Sequence, residues 1–378
     1  VRRRIESRPE EKYLLVRFDL DRFKAFNDMQ GTEAGDRLLT AIGQAMLKTN
    51  WESGIYGHIE ADHFACFVPE NAVDLEKKIA GINRLLQDYP ANLRLTASIG
   101  VYTVDDPTLD VPLMCDRALL ALRTVKKNYA NKVAYYSEAM RQDLLEEQKL
   151  LGDMDGALQA EQFLIYFQPQ VNHENGALIG AEALVRWDHP RRGLLLPDKF
   201  IPIFEKNGFI SALDDYVLEK CCAYLRKWRD DQSLAVVSLA VNISRLDIYH
   251  PDFITKLRRL LEKYQLPSQC LRLEITESAY IENPAQLIRV VKNLQQLGFV
   301  VEMDDFGTGY SSLNTLKDVP VDVLKLDMRF LRESENNARG GNILNSVIRM
   351  ARWLKLPIIA EGVETRQQAD FLKNLGCL

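Results

Sequence analysis

The sequence predicts an α/β protein built from two units, a small α/β unit followed by a larger (β/α) barrel. Three observations lead to this fold class. The chain has 378 residues, about twice the length of one usual domain. Strand-like and helix-like periods alternate over residues 1–136, and seven further strand-like runs follow, most of them separated by helical stretches.

The first unit is predicted over residues 1–136 as one compact α/β domain. Its strand candidates are Tyr13–Leu20, Phe64–Val68, Leu93–Tyr102 and Lys132–Tyr136. Its helix candidates are Arg37–Leu47, Leu75–Leu86 and Leu113–Val125. A charged amphipathic stretch over residues 137–156 then predicts a helix between the two units.

The barrel is predicted over residues 157–378. Its strand candidates are Phe163–Phe167, Ala181–Trp187, Ala235–Asn242, Cys270–Thr276, Phe299–Met303, Val321–Leu326 and Leu356–Ala360. Eight strands are the norm for such a barrel, and the eighth is not visible in the sequence. We therefore expect the native protein to continue past Leu378.

Composition excludes several classes of protein. Apolar residues make up 47% and charged residues 27%, as in folded soluble proteins, and no apolar run is long enough to span a membrane. A net charge of −5 argues against binding a nucleic-acid polymer. The six cysteines are scattered, which favours reduced thiols. We expect a cytoplasmic protein, or the cytoplasmic part of a larger membrane-anchored one.

Acidic side chains occur at or near the ends of most predicted barrel strands, where barrel enzymes carry their working residues. The polar residues at these positions are Glu182, Asn242, Glu274, Glu277, Asp304, Asp305, Lys325, Asp327 and Glu361. Any one of them could be a helix cap or a solvated loop residue. Gathered at one mouth they would repel each other, which implies bound cations, and an oxygen-only ligand set favours Mg²⁺ or Mn²⁺. Two adjacent aspartates allow one to bridge a pair of ions.

The run from Asp304 to Ser312 (DDFGTGYSS) has glycines that permit a tight turn beside these acids, followed by hydroxyls that can cap the next helix. A loop that re-forms here could switch the site. On these residues the second unit resembles the EAL-domain phosphodiesterases, which hydrolyse cyclic di-GMP. The shared motifs are Glu182-Ala183-Leu184-Val185-Arg186-Trp187, Tyr166-Phe167-Gln168-Pro169-Gln170, the Asn242 and Ser244 pair, Glu274-Ile275-Thr276-Glu277, the Asp304–Ser312 loop, Lys325-Leu326-Asp327 and Ala360-Glu361-Gly362-Val363-Glu364.

The resemblance implies a role for each matched residue. Glu182, Asn242, Glu274 and Asp304 would hold one metal ion, and Asp304, Asp305 and Glu361 the second. Lys325 would orient the attacking water and stabilise charge on the phosphoryl oxygens. Gln168, Arg186 and Asp327 would contact the dinucleotide, and Glu277 would anchor the glycine loop. The implied reaction opens one phosphodiester of cyclic di-GMP to give linear pGpG. The family's Gln-Gly segment on the last strand has no counterpart before Leu378.

The first unit resembles the GGDEF domain, the diguanylate cyclase fold, through its Phe18–Asp28 run and Ala97-Ser98-Ile99-Gly100. The signature itself reads Glu60-Ala61-Asp62-His63-Phe64, which loses both glycines and a metal-binding carboxylate. The inhibitory Arg-x-x-Asp set is also absent from Trp51–Gly54. We therefore expect no cyclase activity. Asp19, Asn27 and Asp36 persist at positions resembling metal and guanine contacts, so GTP binding stays open beside simple capping roles.

The favoured function is a metal-dependent cyclic di-GMP phosphodiesterase whose first unit is regulatory. The alternative is a cyclic di-GMP receptor that signals through the helix at 137–156 without turnover, and a protein-binding scaffold is the least favoured reading. The complete acidic set favours the enzyme, since a receptor could lose metal ligands without harm. By resemblance we also expect a homodimer and an upstream sensory domain; whether the first unit activates or inhibits is open.

Overall fold

The computed structural model describes residues 1–48, 54–72, 75–89, 95–126, 131–231, 238–306, 318–327 and 338–377. The chain divides into two compact units, Val1–Gln148 and Lys149–Leu378. The division falls inside the helix Glu138–Gln159 (α6), which covers the predicted inter-unit helix. Each unit is described by itself below.

The first unit is built on a five-stranded sheet. Its strands are β1 (Tyr13–Asp21), β2 (Ile55–Glu60), β3 (His63–Pro69), β4 (Thr96–Thr103) and β5 (Val133–Tyr135). Its helices are α1 (Arg2–Ser7), α2 (Phe23–Gln30), α3 (Thr32–Lys48), α4 (Leu75–Asp88) and α5 (Val111–Val125). The strand order is β2-β3-β1-β4-β5, with β1 antiparallel to both neighbours.

The central position of β1 follows from its composition, because its first eight residues are all buried and two apolar clusters cover the sheet's opposite faces. The four predicted strands and three predicted helices form, although the first two residues of the Leu93–Tyr102 candidate lie outside the described residues. The helices α1 and α2 were not predicted, and neither was strand β2. That strand is mostly exposed and contains Gly57 and His58, so it lacks the apolar alternation by which strands are recognised.

The second unit is built on a larger sheet. Its strands are β6 (Phe163–Val171), β7 (Leu178–His189), β8 (Gly193–Leu195), β9 (Leu239–Asn242), β10 (Leu271–Thr276), β11 (Val300–Phe306), β12 (Val323–Leu326) and β13 (Ile358–Ala360). The order is β13-β12-β11-β10-β9-β7-β6, and β8 pairs with β7. All seven predicted strands form, although part of the Ala235–Asn242 candidate lies outside the described residues.

Strands β7 and β9 to β13 run parallel, whereas β6 runs antiparallel to β7. A short turn makes this antiparallel pair possible. The side chain of Asn172 accepts hydrogen bonds from the backbone N–H groups of Glu174 and Asn175, and Gly176 takes a positive φ of 70°.

Eight helices of this unit are described after α6. They are α7 (Pro197–Asn207), α8 (Ile210–Asp230), α9 (Arg245–Ile248), α10 (Phe253–Tyr264), α11 (Glu277–Glu282), α12 (Pro284–Gln296), α13 (Ala338–Trp353) and α14 (Arg366–Leu375). They and the strands share one apolar core. Within it Trp187 is fully buried against Phe163, Phe200 and Phe204, and its indole N–H donates to Gln162 at 3.1 Å.

The Trp187 cluster positions the site because side chains alternate along β7. With Ala181, Ala183 and Trp187 packed in the core, Glu182, Leu184 and Arg186 share the opposite face of the strand. In the part of the chain that the structure describes, none of the helices combines the length and apolar character needed to cross a bilayer. The six cysteines are free thiols, and four of them are buried.

Candidate active site

The structure brings six of the residues singled out above to one point. They are Glu182 on β7, Asn242 on β9, Glu274 on β10, Asp304 on β11, Lys325 on β12 and Glu361 directly after β13. Parallel strands in register place residues of the same facing at one level, and Glu274 is paired with Asn242 on one side. On the other side of β10, the pairing of Thr276 with Asp304 gives the register of β11.

The ammonium of Lys325 is the centre of this cluster. Its Nζ lies 3.2 Å from Glu182 Oε2 and 2.8 Å from Glu274 Oε2. It also lies 3.2 Å from Asp304 Oδ1 and 2.6 Å from Glu361 Oε1. The Lys325 and Glu274 side chains are 1% and 0% exposed, so this contact is desolvated rather than a surface ion pair.

Asn242 joins two of these carboxylates. Its Nδ2 donates to Glu182 Oε1 at 3.1 Å and to Glu274 Oε2 at 2.9 Å. The second oxygen of Glu274, Oε1, is buried and has no hydrogen-bond partner in the structure. An unpartnered carboxylate oxygen in the interior is costly, and it is the kind of atom that a cation would satisfy.

Burial raises the pKa of Glu274 well above its usual range, and the nearby Glu182 and Asp304 carboxylates add to this against the opposing charge of Lys325. Burial likewise raises the pKa of Glu361 to about 7, opposed by Lys325 and reinforced by Asp304. For Lys325 burial lowers the pKa but the four carboxylates outweigh it, so the net shift is upward and the ammonium stays charged.

A cleft of about 610 Å³ opens beside the cluster, and Gln168, Glu182, Leu184 and Glu361 are among its lining residues. Gln168 on β6 is exposed and is the register partner of Glu182. Arg186 lies farther along β7, where Nη1 donates to the Val185 carbonyl at 2.8 Å and the guanidinium lies 5.8 Å from the centre of the Tyr166 ring.

The donor atoms fit a hard divalent cation, because they are oxygens of four carboxylates and one amide and include the unpartnered Glu274 Oε1. Among the described residues, however, no three His, Cys, Asp or Glu side chains form a ready-made metal site. The carboxylates converge instead on Lys325 Nζ. Glu182, Asn242, Glu274, Asp304 and Glu361 are thus the described residues that could hold an ion.

Four further features of the predicted site are Glu277, Asp327, Asp305 and the glycine loop. Glu277 is buried at the first residue of α11, and Asp327 follows β12 half-buried. The side chain of Asp305 and residues 307–312 of the glycine loop lie outside the described part of the chain. The predicted bridging and switching roles of these segments stay predictions.

In the first unit Asp19 is buried, and its Oδ2 lies 2.6 Å from Lys126 Nζ and 3.7 Å from His63 Nε2. The β2–β3 turn holds Glu60-Ala61-Asp62-His63, the run that the sequence analysis predicts to be an altered signature. Ala61 takes a φ of 44° there, in the left-handed region that glycine tolerates best. The Oδ1 of Asn27 is buried without a described hydrogen-bond partner and lies against Gly35, while Asp36 is exposed on α3.

Sequence reasoning missed a second polar layer in the barrel, formed by Arg272, Glu302 and Gln170. All three are buried, and Arg272 Nη1 donates to Glu302 Oε1 at 2.7 Å. A signal for them exists in the sequence, since Arg272 and Glu302 each precede a site acid by two residues in an otherwise apolar strand. Residues two apart share one face of a strand.

Comparison with known families gives two matches in tandem. The model described as "EAL domain" matches residues 152–378, and the model described as "Diguanylate cyclase, GGDEF domain" matches residues 2–132. The bifunctional diguanylate cyclase/cyclic di-GMP phosphodiesterase MucR of Pseudomonas aeruginosa is 33% identical over 379 residues, covering 98% of this chain and 55% of its own. The cyclic di-GMP phosphodiesterase PdeR of Escherichia coli is 30% identical over 377 residues, covering 98% and 57%.

The chain thus spans about half the length of these curated relatives. Among solved structures, the PaMucR phosphodiesterase in complex with c-di-GMP is 38% identical with a TM-score of 0.58, covering 61% of this chain and 92% of that one. The Vibrio cholerae LapD S helix-GGDEF-EAL structure shares the fold at 20% identity, with a TM-score of 0.59 and coverage of 96% and 86%. The match over 152–378 exceeds half of the chain, and the chain belongs to the EAL-domain family, with a GGDEF domain preceding the EAL domain.

Proposed function

We propose that the EAL domain hydrolyses cyclic di-GMP to linear pGpG, using two Mg²⁺ or Mn²⁺ ions, and that the GGDEF domain regulates it without making cyclic di-GMP. The observation that carries the proposal is the convergence of four carboxylates on Lys325 beside a cleft, with Asn242 joining two of those carboxylates. The relatives named above as cyclic di-GMP phosphodiesterases, and the PaMucR complex with that ligand, support it.

In this proposal one ion is held by Glu182, Asn242, Glu274 and Asp304, and the second by Asp304, Asp305 and Glu361. Bound divalent ions would supply Lewis-acid activation of water and would neutralise charge on the phosphoryl group. The chain's own residues do the positioning. The permanently charged Lys325 orients the attacking water and stabilises charge that develops on phosphoryl oxygens.

The dinucleotide would be held by residues around the cleft. The Arg186 guanidinium can pair with a ligand phosphate, since its fork of N–H donors suits such oxygens. Gln168 and Asp327 offer hydrogen bonds to the bases or ribose, and Glu277 supports the glycine loop. We include in the proposal a homodimer, an upstream sensory domain and GTP as a ligand of the GGDEF domain.

The test is to incubate the purified chain with cyclic di-GMP and Mn²⁺ or Mg²⁺ and to separate the products by chromatography. Glu182→Gln removes one charge from the cluster, and Glu205→Gln at an exposed position of α7 is the matched control. We expect pGpG from the wild type and from Glu205→Gln but not from Glu182→Gln. Absence of product from the wild type with both ions would refute the hydrolase.

A second function rests on the same cluster. Because the Lys325 ammonium offsets part of the negative charge of the carboxylates, the domain could bind cyclic di-GMP as a receptor that does not turn it over. Calorimetry of the same samples separates the two functions, since a receptor binds the dinucleotide with unchanged affinity when the ions are chelated and releases no pGpG.

A further inference from the structure

A buried polar layer lies directly beneath the carboxylate cluster of the EAL domain. Arg272 is two residues before Glu274 on β10, and Glu302 is two residues before Asp304 on β11. Because side chains two apart lie on the same face of a strand, Arg272 lies below Glu274 on β10 and Glu302 lies below Asp304 on β11, and Glu302 is also the register partner of Glu274. Barrel interiors at such positions are usually filled by branched apolar side chains.

The Arg272 guanidinium connects strands that do not pair with one another. Nη1 donates to Glu302 Oε1 on β11 at 2.7 Å, and Nη2 donates to the Gln170 side chain on β6. Nη2 also lies 3.5 Å from the Ala181 carbonyl on β7, the residue before Glu182. In the sheet order β11 and β6 are separated by β10, β9 and β7, so these bonds cross the barrel interior.

The layer is buried and leaves room for the guanidinium, and Gln170 also lines the cleft. Arg272 is 8% exposed, Gln170 9% and Glu302 0%. Gly180 on β7 leaves the room that the guanidinium occupies, because a Cβ added there would lie 2.5 Å from Arg272 Nη2 and 3.1 Å from the Ser238 carbonyl oxygen. A long charged side chain is costly in the interior unless its partners are fixed, and here three strands supply them.

We propose that Arg272 is a positioning residue for the metal-binding carboxylates: by tying β11, β7 and β6 together beneath them, it sets the distances among Asp304, Glu182 and Glu274. This inference rests on the proposed function, because it assigns those carboxylates to divalent ions. The guanidinium touches neither substrate nor ion. It acts through the strands that carry the ligands, as supporting residues around metal sites do.

In Arg272→Met, loss of the positive charge and loss of the cross-strand hydrogen bonds have opposite expected effects on the affinity for a cation. Removing a positive charge close to a cation site strengthens cation binding if charge alone matters. Loss of the cross-strand bonds lets the ligands move apart and weakens it. We expect Mn²⁺ affinity to fall by about tenfold or more, measured by calorimetry and by the electron paramagnetic resonance of free Mn²⁺ on the whole chain without substrate.

Two further variants keep the test decisive. Gly180→Ala retains every charge but displaces the guanidinium, and it should also weaken Mn²⁺ binding. The double variant Arg272→Met/Glu302→Leu replaces the pair by apolar groups, an exchange that often preserves stability. We expect it to unfold at a urea concentration near that of the wild type while Mn²⁺ binding stays weak. Arg226→Met, which removes a surface pair with Asp230, is the matched control and should bind Mn²⁺ as the wild type does.

Unchanged or tighter Mn²⁺ binding in Arg272→Met, or full Mn²⁺ affinity in the stable double variant, would overturn the positioning role. Failure of the wild type to bind Mn²⁺ would overturn it too. The proposed function fails separately, when the wild type binds Mn²⁺ with the expected dependence on Arg272 but releases no pGpG from cyclic di-GMP.

Discussion

The carboxylate of Glu361 and the ammonium of Lys325 lie 2.6 Å apart, joining the residue that follows β13 to the adjacent strand β12. The same ammonium lies 2.8 Å from Glu274 Oε2, so a single side chain balances acids from both sides of the barrel mouth. Lys325 is therefore a structural counter-charge as well as a candidate catalytic group.

Lys325→Met tests this double role. It leaves the fully buried Glu274 without its counter-charge, so we expect the free energy of unfolding in the presence of a chelator to fall by about 3–5 kcal/mol. Added Mn²⁺ should restore more of that stability than it adds to the wild type, while pGpG production is lost. Urea unfolding with and without Mn²⁺ measures this, with Lys292→Met at an exposed position of α12 as control. Wild-type stability of Lys325→Met in chelator would contradict the counter-charge role.

Arg186→Ala should weaken binding of cyclic di-GMP. A charged hydrogen bond to a phosphate contributes about 1.5–3 kcal/mol, which corresponds to roughly 10-fold to 150-fold in affinity. Mn²⁺ binding should not change, because Arg186 contacts the Val185 carbonyl and the Tyr166 ring rather than the cluster. Calorimetry with a chelator present measures the first effect, and the exposed Arg258→Ala is the control. Equal affinity in both variants would remove Arg186 from the ligand site.

The buried Asp214 of α8 predicts a pH-dependent stability. Its Oδ2 accepts the Ser244 N–H at 3.0 Å, and burial raises its pKa to about 7, opposed by the Ser244 bonds and reinforced by Asp247. Burial also raises the pKa of Asp247, with Lys256 opposing and Asp215 reinforcing the shift. The folded state therefore binds a proton more tightly than the unfolded chain does.

This stabilisation is fully present below about pH 4, near the ordinary aspartate pKa, and is lost as the pH rises through about 7. Asp214→Asn should flatten this fall, which we expect to be about 1–3 kcal/mol in urea unfolding between pH 5 and pH 8. Glu262→Gln, at an exposed position of α10, should keep the slope. Parallel curves for the wild type and Asp214→Asn would count against the raised pKa.

Ala61→Gly should not destabilise the GGDEF domain and should stabilise it by up to about 1 kcal/mol. The left-handed φ of 44° destabilises an alanine by about 1–2 kcal/mol, and glycine avoids this strain. Part of the gain is offset because glycine loses more conformational entropy on folding. Thermal unfolding measures the change. Ala65→Gly in the adjacent strand β3, where no left-handed backbone occurs, is expected to destabilise. A loss at Ala61 as large as that at Ala65 would be inconsistent with strain in the turn.

Incubation of the whole chain with GTP and Mg²⁺ should yield no cyclic di-GMP. Asp19 is already paired with Lys126, and His63 stands where the family signature has a carboxylate. We expect His63→Glu to remain inactive as well, since Ala61 and Glu60 persist. Nucleotide chromatography with an unrelated active cyclase as positive control measures this. Formation of cyclic di-GMP by the wild type would refute the regulatory assignment of this domain.

Most of the fold was predictable because strand-like runs such as Phe163–Phe167 and Cys270–Thr276 are apolar and clearly bounded. The antiparallel orientation of β6 was not predictable, because the side-chain pattern of a strand does not indicate its orientation relative to the strand it pairs with. The convergence of Glu274 and Glu361 could be expected from their places at or near strand ends, and Lys325 was expected beside them. That Glu182, in the interior of β7, would contact the same ammonium could not be predicted, since this depends on the register among the strands.

Arg272 and Glu302 show a different limit. Each lies in a strand that reads as buried, where a charge is improbable unless it is paired. The sequence does not reveal that the partner of one is the other, or that Gln170 from β6 reaches the same guanidinium. Pairing across the barrel requires its curvature, which a local pattern does not encode.

The alternation along β10 has a consequence for folding itself. A slip of one residue against β9 or β11 would turn Arg272 and Glu274 toward the apolar helices and bring Leu273 and Ile275 into the polar interior. Each misaligned register would then bury two unpaired charges. It would also remove the contact between Lys325 and Glu274. The charged residues of the candidate site therefore raise the free energy of misaligned strand pairings and favour the native register during folding.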